Sequence, residues 1–113
     1  MTIFEKILHK EIPTTIIYED EYALAFPDIS PQTPIHILVI PKQKARNFSD
    51  LNQWSPVAIG EYMHSIQKVI HHLNLTDGYR IVFNTGDQGG QTVDYLHAHI
   101  LAGETLGWPP FPV

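Results

Sequence analysis

The sequence predicts an α+β fold, an antiparallel sheet of about five strands with one long and one short helix. β-branched runs bounded by proline and glycine recur along the chain, and one long amphipathic segment follows Ser55. The predicted strands are mostly adjacent in sequence, which favours antiparallel pairing. A chain of 113 residues is long enough for one hydrophobic core. We therefore expect a single domain over residues 1–113.

The first half of the chain predicts a short helix and three strands. TIFEKILHKEIP places Thr2 and Glu5 in the spacing of a capping box and stops at Pro13, which predicts the short helix. TTIIYED and YALAFPD predict two strands, and PIHILVIPK predicts a third that is covered on both faces. The polar stretch over residues 43–53 predicts an irregular connection.

The second half predicts the long helix and two more strands. Ser55 is a suitable N-cap, Pro56 suits the first helical position, and apolar residues then recur every three or four positions until near Asn74. YRIVFN and YLHAHILAG predict the fourth and fifth strands. Between them lies the glycine-rich loop TGDQGGQ.

Composition and charge argue against several classes of protein. The chain has no cysteine, which excludes disulfides and thiolate zinc sites and is compatible with the cytoplasmic location that we expect. Its net charge is −5 and it has no basic run, so we expect no nucleic-acid partner. The apolar run IHILVIP is far shorter than the ~20 residues of a membrane helix. Charges at Glu5, Lys6 and Lys10 are unlike a signal peptide, and we expect no membrane partner.

Three of the seven histidines fall in predicted strands. Side chains alternate along YLHAHIL, so Tyr95, His97 and His99 share one face, with neighbours roughly 6.5–7 Å apart. This spacing suits a phosphate better than zinc, whose ligand nitrogens lie about 2 Å from the ion. No carboxylate or cysteine adjoins the pair in sequence, so a zinc site is the weaker alternative. His36 lies in the third strand, and the other four are expected on the surface of the helices: His9, His64, His71 and His72.

The loop before the fifth strand is a candidate phosphate-binding loop. NTGDQGGQT offers an amide, hydroxyls and unhindered backbone N–H groups, all of which bind phosphate oxygens. It lacks the Gly-Lys-Ser/Thr ending of a Walker loop. Alone, such a loop is more often a plain turn; its position directly before paired histidines favours phosphate binding.

Several separated blocks resemble the nucleotide-binding branch of the histidine-triad superfamily. They are TIFEKILHKEIP, AFPDISPQTPIHILVIPK, YRIVFNTGDQGGQTV, HAHILAG and WPP. The resemblance implies a HIT-like fold and hydrolysis of nucleoside 5′-phosphoramidates or acyl-nucleotides, with purine nucleotides preferred. It also implies a nucleotidyl-histidine intermediate and no metal or other cofactor. The family signature is His-x-His-x-His, and here Tyr95 stands in its first position.

The resemblance implies roles for individual residues. His97 corresponds to the nucleophile, His99 to the histidine that contacts the phosphate, and His36 to a histidine beside the triad. Asp28 matches the acidic residue that binds the ribose, next to Ile29. The matches to the phosphate-holding loop are Asn84, Gly90, Gln91 and Thr92. The matches to the apolar slot for the base are Ile3, Phe4, Ile7 and Phe26.

The tyrosine in the signature leaves two functions open. In related proteins the backbone carbonyl at this position accepts the other ring N–H of the nucleophilic histidine, and Tyr95 keeps that carbonyl. We expect its hydroxyl to bond within the histidine cluster, and we expect an active enzyme. The alternatives are a nucleotide-binding scaffold protein with little catalysis and, less favoured, a zinc-binding histidine protein.

The resemblance also implies a homodimer with the long helices at the interface. A small sheet leaves strand edges that are open to pairing. The C-terminal LGWPPFPV has no periodic pattern, so we expect it to pack on a neighbouring subunit. There Trp108 would lie near the partner's active site and shape the preference for the leaving group.

Overall fold

The computed structural model describes residues 1–111 as a five-stranded antiparallel sheet with a helix on each face. The fold class predicted from the sequence is confirmed. The helices are α1 (Ile3–Leu8) and α2 (Pro56–His72). The strands are β1 (Tyr18–Glu19), β2 (Ala23–Pro27), β3 (Ile35–Pro41), β4 (Arg80–Val82) and β5 (Ala98–Ala102), in the sheet order β1-β2-β3-β5-β4.

Several details differ from the predicted elements. β1 covers only Tyr18–Glu19 of the predicted TTIIYED, and β4 only Arg80–Val82 of the predicted YRIVFN. The 43–53 stretch contains a 3-10 helix, Phe48–Gln53, where an irregular connection was expected. Its sequence has no helical periodicity, and the helix is instead started by Asn47, whose side chain accepts the Asp50 N–H at 3.2 Å. The fifth strand begins at Ala98, three residues later than expected, because the segment before it leaves the sheet.

The sheet separates two apolar clusters, one on each face. Strand side chains alternate, so Val39 and Ile100 point toward α2 while Leu38 and Ile40 point toward α1. The α2 side is the larger cluster and includes Tyr62, Ile66, Val69 and Ile70 of the helix. The α1 side contains Phe4 and Ile7 of the short helix together with Leu24, Phe26 and Tyr95.

Local capping fixes where both helices begin. Thr2 Oγ1 accepts the Glu5 N–H at 3.2 Å, and Glu5 Oε1 accepts the Thr2 N–H at 2.9 Å, which completes the predicted capping box. Ser55 Oγ accepts the Ala58 N–H at 3.1 Å at the start of α2. Within residues 1–111, neither helix combines the length and the apolar character that crossing a bilayer requires.

The carboxylate of Asp20 ties α2 to the turn between β1 and β2. It accepts the Ser65 hydroxyl at 2.7 Å, the Tyr18 hydroxyl at 3.0 Å, and the N–H groups of Tyr22 and Ala23 at 2.8 and 2.9 Å. Burial opposes ionisation of Asp20, but the four hydrogen bonds outweigh it and lower the pKa of the carboxyl group.

Replacement of Asp20 by alanine is expected to lower the free energy of unfolding by about 2 kcal/mol at neutral pH, because buried donors lose a charged acceptor. Since the folded-state pKa lies below the unfolded value of about 3.9, this stabilisation is present above that value and is lost as the pH falls through the folded pKa. Urea unfolding at neutral pH and at about pH 3 should therefore show a smaller difference in acid. The exposed neighbour Glu21→Ala is the control; an equal loss in both variants would contradict the role of Asp20.

Candidate active site

A cavity of about 520 Å³ opens on the α1 face of the sheet, and it collects residues from distant parts of the sequence. Nine of the predicted site residues line it: Ile3, Phe4, Ile7, Phe26, Asp28, Ile29, Thr92, His97 and His99. Sequence reasoning missed the lining residues Ile12, Pro13, Thr14, Pro27, Leu38 and Val93. Of these, Leu38 carried a signal, since its position in an alternating strand places it on the face of His36. A second cavity, of about 470 Å³ between residues 77–80 and 103–106, contains none of the predicted site residues.

His97 is held by a backbone carbonyl that precedes it by two residues. Its Nδ1 lies 2.7 Å from Tyr95 O, which is the contact implied by the resemblance. A carbonyl oxygen only accepts, so Nδ1 donates and carries the proton of the neutral ring. The Phe4 ring packs on the imidazole at a centroid distance of 4.9 Å and an interplanar angle of 71°. The lone pair of His97 is therefore on Nε2.

His99 is held in the opposite tautomer through His36. The backbone N–H of Gln32 donates to His36 Nδ1 at 3.0 Å, so the neutral His36 ring carries its proton on Nε2. His36 Nε2 lies 2.8 Å from His99 Nδ1 and donates to it. The proton of the neutral His99 ring is then on Nε2. The cavity wall thus holds one histidine with a free lone pair and one that donates.

Burial keeps all three imidazoles neutral. It lowers the pKa of His97, although the hydrogen bond to Tyr95 O opposes the shift. It also lowers the pKa of His36, against the attraction of Asp28. Burial, with the neighbouring His97 and His36, lowers the pKa of His99 to about 4. At neutral pH the three rings therefore offer uncharged donors and lone pairs.

The carboxylate of Asp28, which is distant in sequence, lies close to His36 and His99 in space. The Asp28 N–H donates to His36 O at 3.0 Å where the chain turns from β2 to β3, and Asp28 Oδ2 lies 3.5 Å from His36 Nε2. Asp28, His36 and His99 offer ligand atoms within 4.8 Å of one another. A metal ion there would need a lone pair on His36 Nε2. The Gln32 N–H opposes this, because it uses the only lone pair of the neutral ring at Nδ1.

The glycine-rich loop is built by the polar side chains that were expected to hold phosphate. Asn84 Nδ2 donates to Gly89 O at 2.7 Å. Gln91 Oε1 accepts the Gly86 N–H at 3.0 Å, and its Nε2 donates to Arg46 O at 2.7 Å and Val93 O at 3.0 Å. A side chain at Gly89 would collide with the backbone of Thr85.

Among the loop residues with an expected role, only Thr92 lines the cavity. Gly90 has a φ of +78°, which suits glycine, and its N–H donates to Asp87 O at 3.1 Å. Asn84, Gly90 and Gln91 thus give the loop its shape. This arrangement brings Thr92 to the cavity, next to His97 and His99.

The side chain of Tyr95 does not join the histidine cluster, so that expectation is wrong. Its hydroxyl donates to Pro41 O at 2.6 Å, and the residue is 1% exposed. The register of β3 with β5 ends at the pair Val39–Ala98, so the Pro41 carbonyl lies beyond the ladder and is available to the phenol. Burial and the charge of Glu5 raise the pKa of Tyr95 to about 12.

Trp108 lies outside the cavity of this chain and is 83% exposed. Arg80 donates to Gly107 O at 2.6 Å and fixes the backbone just before it. The last two residues of LGWPPFPV, Pro112 and Val113, lie outside the described residues. The expected packing of this segment on a second subunit stays a prediction.

Three proteins similar to this chain are named, respectively, as a HIT-like protein, a zinc-binding protein and an adenylylsulfatase. A HIT-like protein of Synechococcus elongatus is 48% identical over 109 residues, which cover 96% of this chain and 96% of that protein. The 14 kDa zinc-binding protein of Zea mays is 44% identical over 111 residues, covering 96% of this chain and 87% of that protein. Adenylylsulfatase HINT1 of Arabidopsis thaliana is 41% identical over 111 residues, covering 96% of this chain and 76% of that protein.

The fold is also that of a solved hydrolase. The crystal structure of a HIT family hydrolase from Legionella pneumophila superposes with a TM-score of 0.90 at 38% identity, covering 98% of this chain and all of that one (100%). The sequence pattern of the HIT domain matches residues 9–106. With this match and with His97 and His99 on the wall of one cavity, this chain belongs to the HIT domain family.

Proposed function

We propose that this protein hydrolyses purine nucleoside 5′-phosphoramidates or acyl-nucleotides through a nucleotidyl intermediate on His97. The observation that carries this function is the pair of opposite tautomers, in which His97 Nε2 has a lone pair and His99 Nε2 has a proton. A relative named adenylylsulfatase supports an adenylyl group as the part of the substrate that is transferred.

The chemistry needs a nucleophile and a donor, and no cation. His97 Nε2 attacks phosphorus, and the leaving group departs with the electron pair of its bond to phosphorus and takes up a proton from solvent. The ring of His97 becomes positively charged at this step, and Tyr95 O stabilises it by accepting the Nδ1–H at 2.7 Å. His99 Nε2–H donates to a phosphoryl oxygen as charge develops there. Water then breaks the bond between phosphorus and His97 and releases the monophosphate.

The cavity is suited to a nucleoside with one phosphate. Its apolar part, formed by Ile3, Ile7 and Phe26, fits a flat base. Asp28 Oδ1 and Oδ2 are acceptors at the cavity wall for the two ribose hydroxyls. No Lys or Arg appears among the lining residues of the described chain, so phosphate is held by neutral donors. A longer, more highly charged polyphosphate would lack counter-charges.

The scaffold alternative is tested by comparing nucleotide binding with turnover, and the zinc alternative by a metal-binding measurement. A scaffold protein would bind the nucleoside monophosphate without turning over an adenosine phosphoramidate. The name of the maize relative gives weight to zinc. The 2.8 Å hydrogen bond between His36 and His99 and the Gln32 N–H on His36 count against it, because both must break for His36 to become a ligand. Equilibrium dialysis with zinc tests this alternative directly.

Replacement of His97 by alanine is expected to abolish turnover of a fluorogenic adenosine phosphoramidate, since the attacking nitrogen is lost, and to leave monophosphate binding largely intact. The wild-type protein, quenched in acid-free denaturant during turnover, should carry one nucleotidyl group on His97, detectable by mass spectrometry. His71→Ala, at an exposed position on α2, is the matched control and should keep wild-type turnover. Near wild-type hydrolysis by His97→Ala would refute the proposed nucleophile.

The rate of turnover is expected to stay constant across neutral pH and to fall only in acid. The pKa values of His97 and His99 are lowered, so both rings remain neutral when the pH drops to the ordinary histidine value of about 6.5. Below it, protonation of His97 removes the lone pair that attacks phosphorus. A pH profile of kcat, with histidine proton NMR titration of the same sample, measures this. A midpoint at or above about 6.5 would show that burial does not control these rings.

We further propose a homodimer that is formed through β4 and α2. β4 is an edge of the sheet, and Ile81, on its α2 face, is 40% exposed. Tyr79 beside it is 48% exposed and Val57 at the start of α2 is 71% exposed. An open edge next to exposed apolar side chains is typical of a surface that pairs with a second copy.

Light scattering at micromolar concentration is expected to give the mass of a dimer. Ile81→Lys should shift the mass toward the monomer, because a charge would be buried at the proposed interface. Ile16→Lys is the control, since Ile16 is similarly exposed (42%) but precedes β1, toward the opposite edge of the sheet. A wild-type monomer, or equal dissociation by both variants, would contradict this interface.

A further inference from the structure

Beyond the pair Val39–Ala98, the chain before β5 leaves β3, and tyrosine hydroxyls bridge the gap. Tyr62 donates to Val39 O at 2.8 Å from the α2 face, and Tyr95 donates to Pro41 O at 2.6 Å from the α1 face. Both tyrosines are 1% exposed. The Leu96 N–H no longer pairs with β3 and donates to Ala45 O at 2.8 Å. On the cavity side, the hydrogen bond from the Tyr95 hydroxyl to Pro41 O thus connects residues 95–97 to β3.

We propose that Tyr95 is a positioning residue, whose hydroxyl holds the backbone carbonyl that orients the nucleophile His97. This inference rests on the proposed function and adds a role for the residue that departs from the histidine-triad signature. The two ends of Tyr95 are both engaged: its hydroxyl bonds to Pro41 O, and its carbonyl accepts the His97 Nδ1–H at 2.7 Å. Fixing the side chain therefore limits the rotation of the carbonyl and, with it, the direction of His97 Nε2.

The packing around His97 explains why the hydrogen bond between Tyr95 and Pro41 O affects the orientation of the imidazole. Phe4 packs against one side of the imidazole, and Phe4 and Tyr95 belong to the same apolar cluster. The His99 ring packs against the His97 ring at a centroid distance of 4.9 Å, and the hydrogen bond from Nδ1 to Tyr95 O fixes the direction of the imidazole, whose other nitrogen is left for the cavity. Loss of the phenol oxygen would leave Pro41 O buried without its donor and the 95–97 segment free to relax.

A histidine at position 95 could not form the hydrogen bond that the Tyr95 hydroxyl donates to Pro41 O. Imidazole is shorter than phenol, so a donor on it would not reach Pro41 O from the same backbone position. The phenol also stays protonated over the whole neutral range, because the pKa of Tyr95 is raised to about 12. The hydrogen bond from Tyr95 to Pro41 O is therefore present throughout the neutral pH range in which His97 is uncharged.

Tyr95→Phe and Tyr62→Phe form a matched pair for the test. Each removes one buried hydroxyl from a carbonyl of β3. The Tyr62 hydroxyl also bonds to the backbone of Ala98, but only Tyr95 supplies the carbonyl that accepts the His97 Nδ1–H. Both variants should unfold at lower urea concentration by similar amounts. We expect Tyr95→Phe to lower kcat by about tenfold with KM within about twofold of wild type, and Tyr62→Phe to leave both within about twofold.

The tautomer of His97 provides a readout that needs no substrate. ¹⁵N NMR shifts of the wild-type ring should report the proton on Nδ1, and Tyr95→Phe should show a mixture of tautomers while Tyr62→Phe does not. If wild type does not turn over phosphoramidates, the proposed function fails and the tautomer comparison still tests the role of Tyr95. Unchanged kcat and an unchanged tautomer in Tyr95→Phe, with stability lost as in Tyr62→Phe, would overturn it.

Tyr95→His is the second variant, for use if Tyr95→Phe does not fold. It restores the residue of the family signature but not a donor at Pro41 O. We expect the same direction of change, with kcat lowered by no more than about tenfold and a mixed tautomer at His97. A kcat above that of wild type would overturn the positioning role, since the phenol would then hinder the nucleophile.

Discussion

The site depends on one constraint, which is that an imidazole buried beside apolar side chains must have its inward nitrogen hydrogen-bonded. Gln32 N–H, His36 and Tyr95 O satisfy this requirement for the three histidines, and no buried side-chain nitrogen or oxygen of the described residues is left without a partner. Because each partner is of one kind, a donor or an acceptor, satisfying the ring also selects its tautomer. Stability and reactivity are thereby set by the same hydrogen bonds.

Burial has a second consequence, which is that the site holds no net positive charge. In the proposed reaction a protonated histidine would attract phosphate but could not attack it, so the lowered pKa values of His97 and His99 suit the proposed nucleophile rather than electrostatic attraction. Asp28 would disturb this balance if it were closer to the rings. It lies 3.5 Å from His36, and its other oxygen is engaged with the Ser30 N–H at 2.7 Å. The carboxylate therefore raises the pKa of His36 less than burial lowers it.

The parts of the fold that the sequence predicted are those governed by local periodicity. The predicted alternation places His97 and His99 on one face, and both line the cavity although β5 itself begins only at Ala98. The capping box and the Ser55–Pro56 pair likewise fix where the helices begin. The directions of Asn84, Gln91 and the Tyr95 hydroxyl were not predictable in this way. The direction of each side chain is set by a hydrogen bond to a backbone carbonyl that is distant in sequence or lies across a loop. For Tyr95 that carbonyl is Pro41 O, 54 residues away. The position of Asp28 beside His36 likewise depends on how β2 turns into β3.

The tyrosine in the triad shows why a motif position is not equivalent to a side-chain function. What His97 takes from position 95 is a carbonyl oxygen, and any residue supplies one. What the fold takes from it is a buried side chain that fills the α1 face and reaches the end of β3, and here a phenol does both. Both the carbonyl that His97 needs and the side chain that the fold needs belong to Tyr95, so a change in one can move the other. A substitution at this position is therefore tolerated chemically only as far as the new side chain keeps the carbonyl in place.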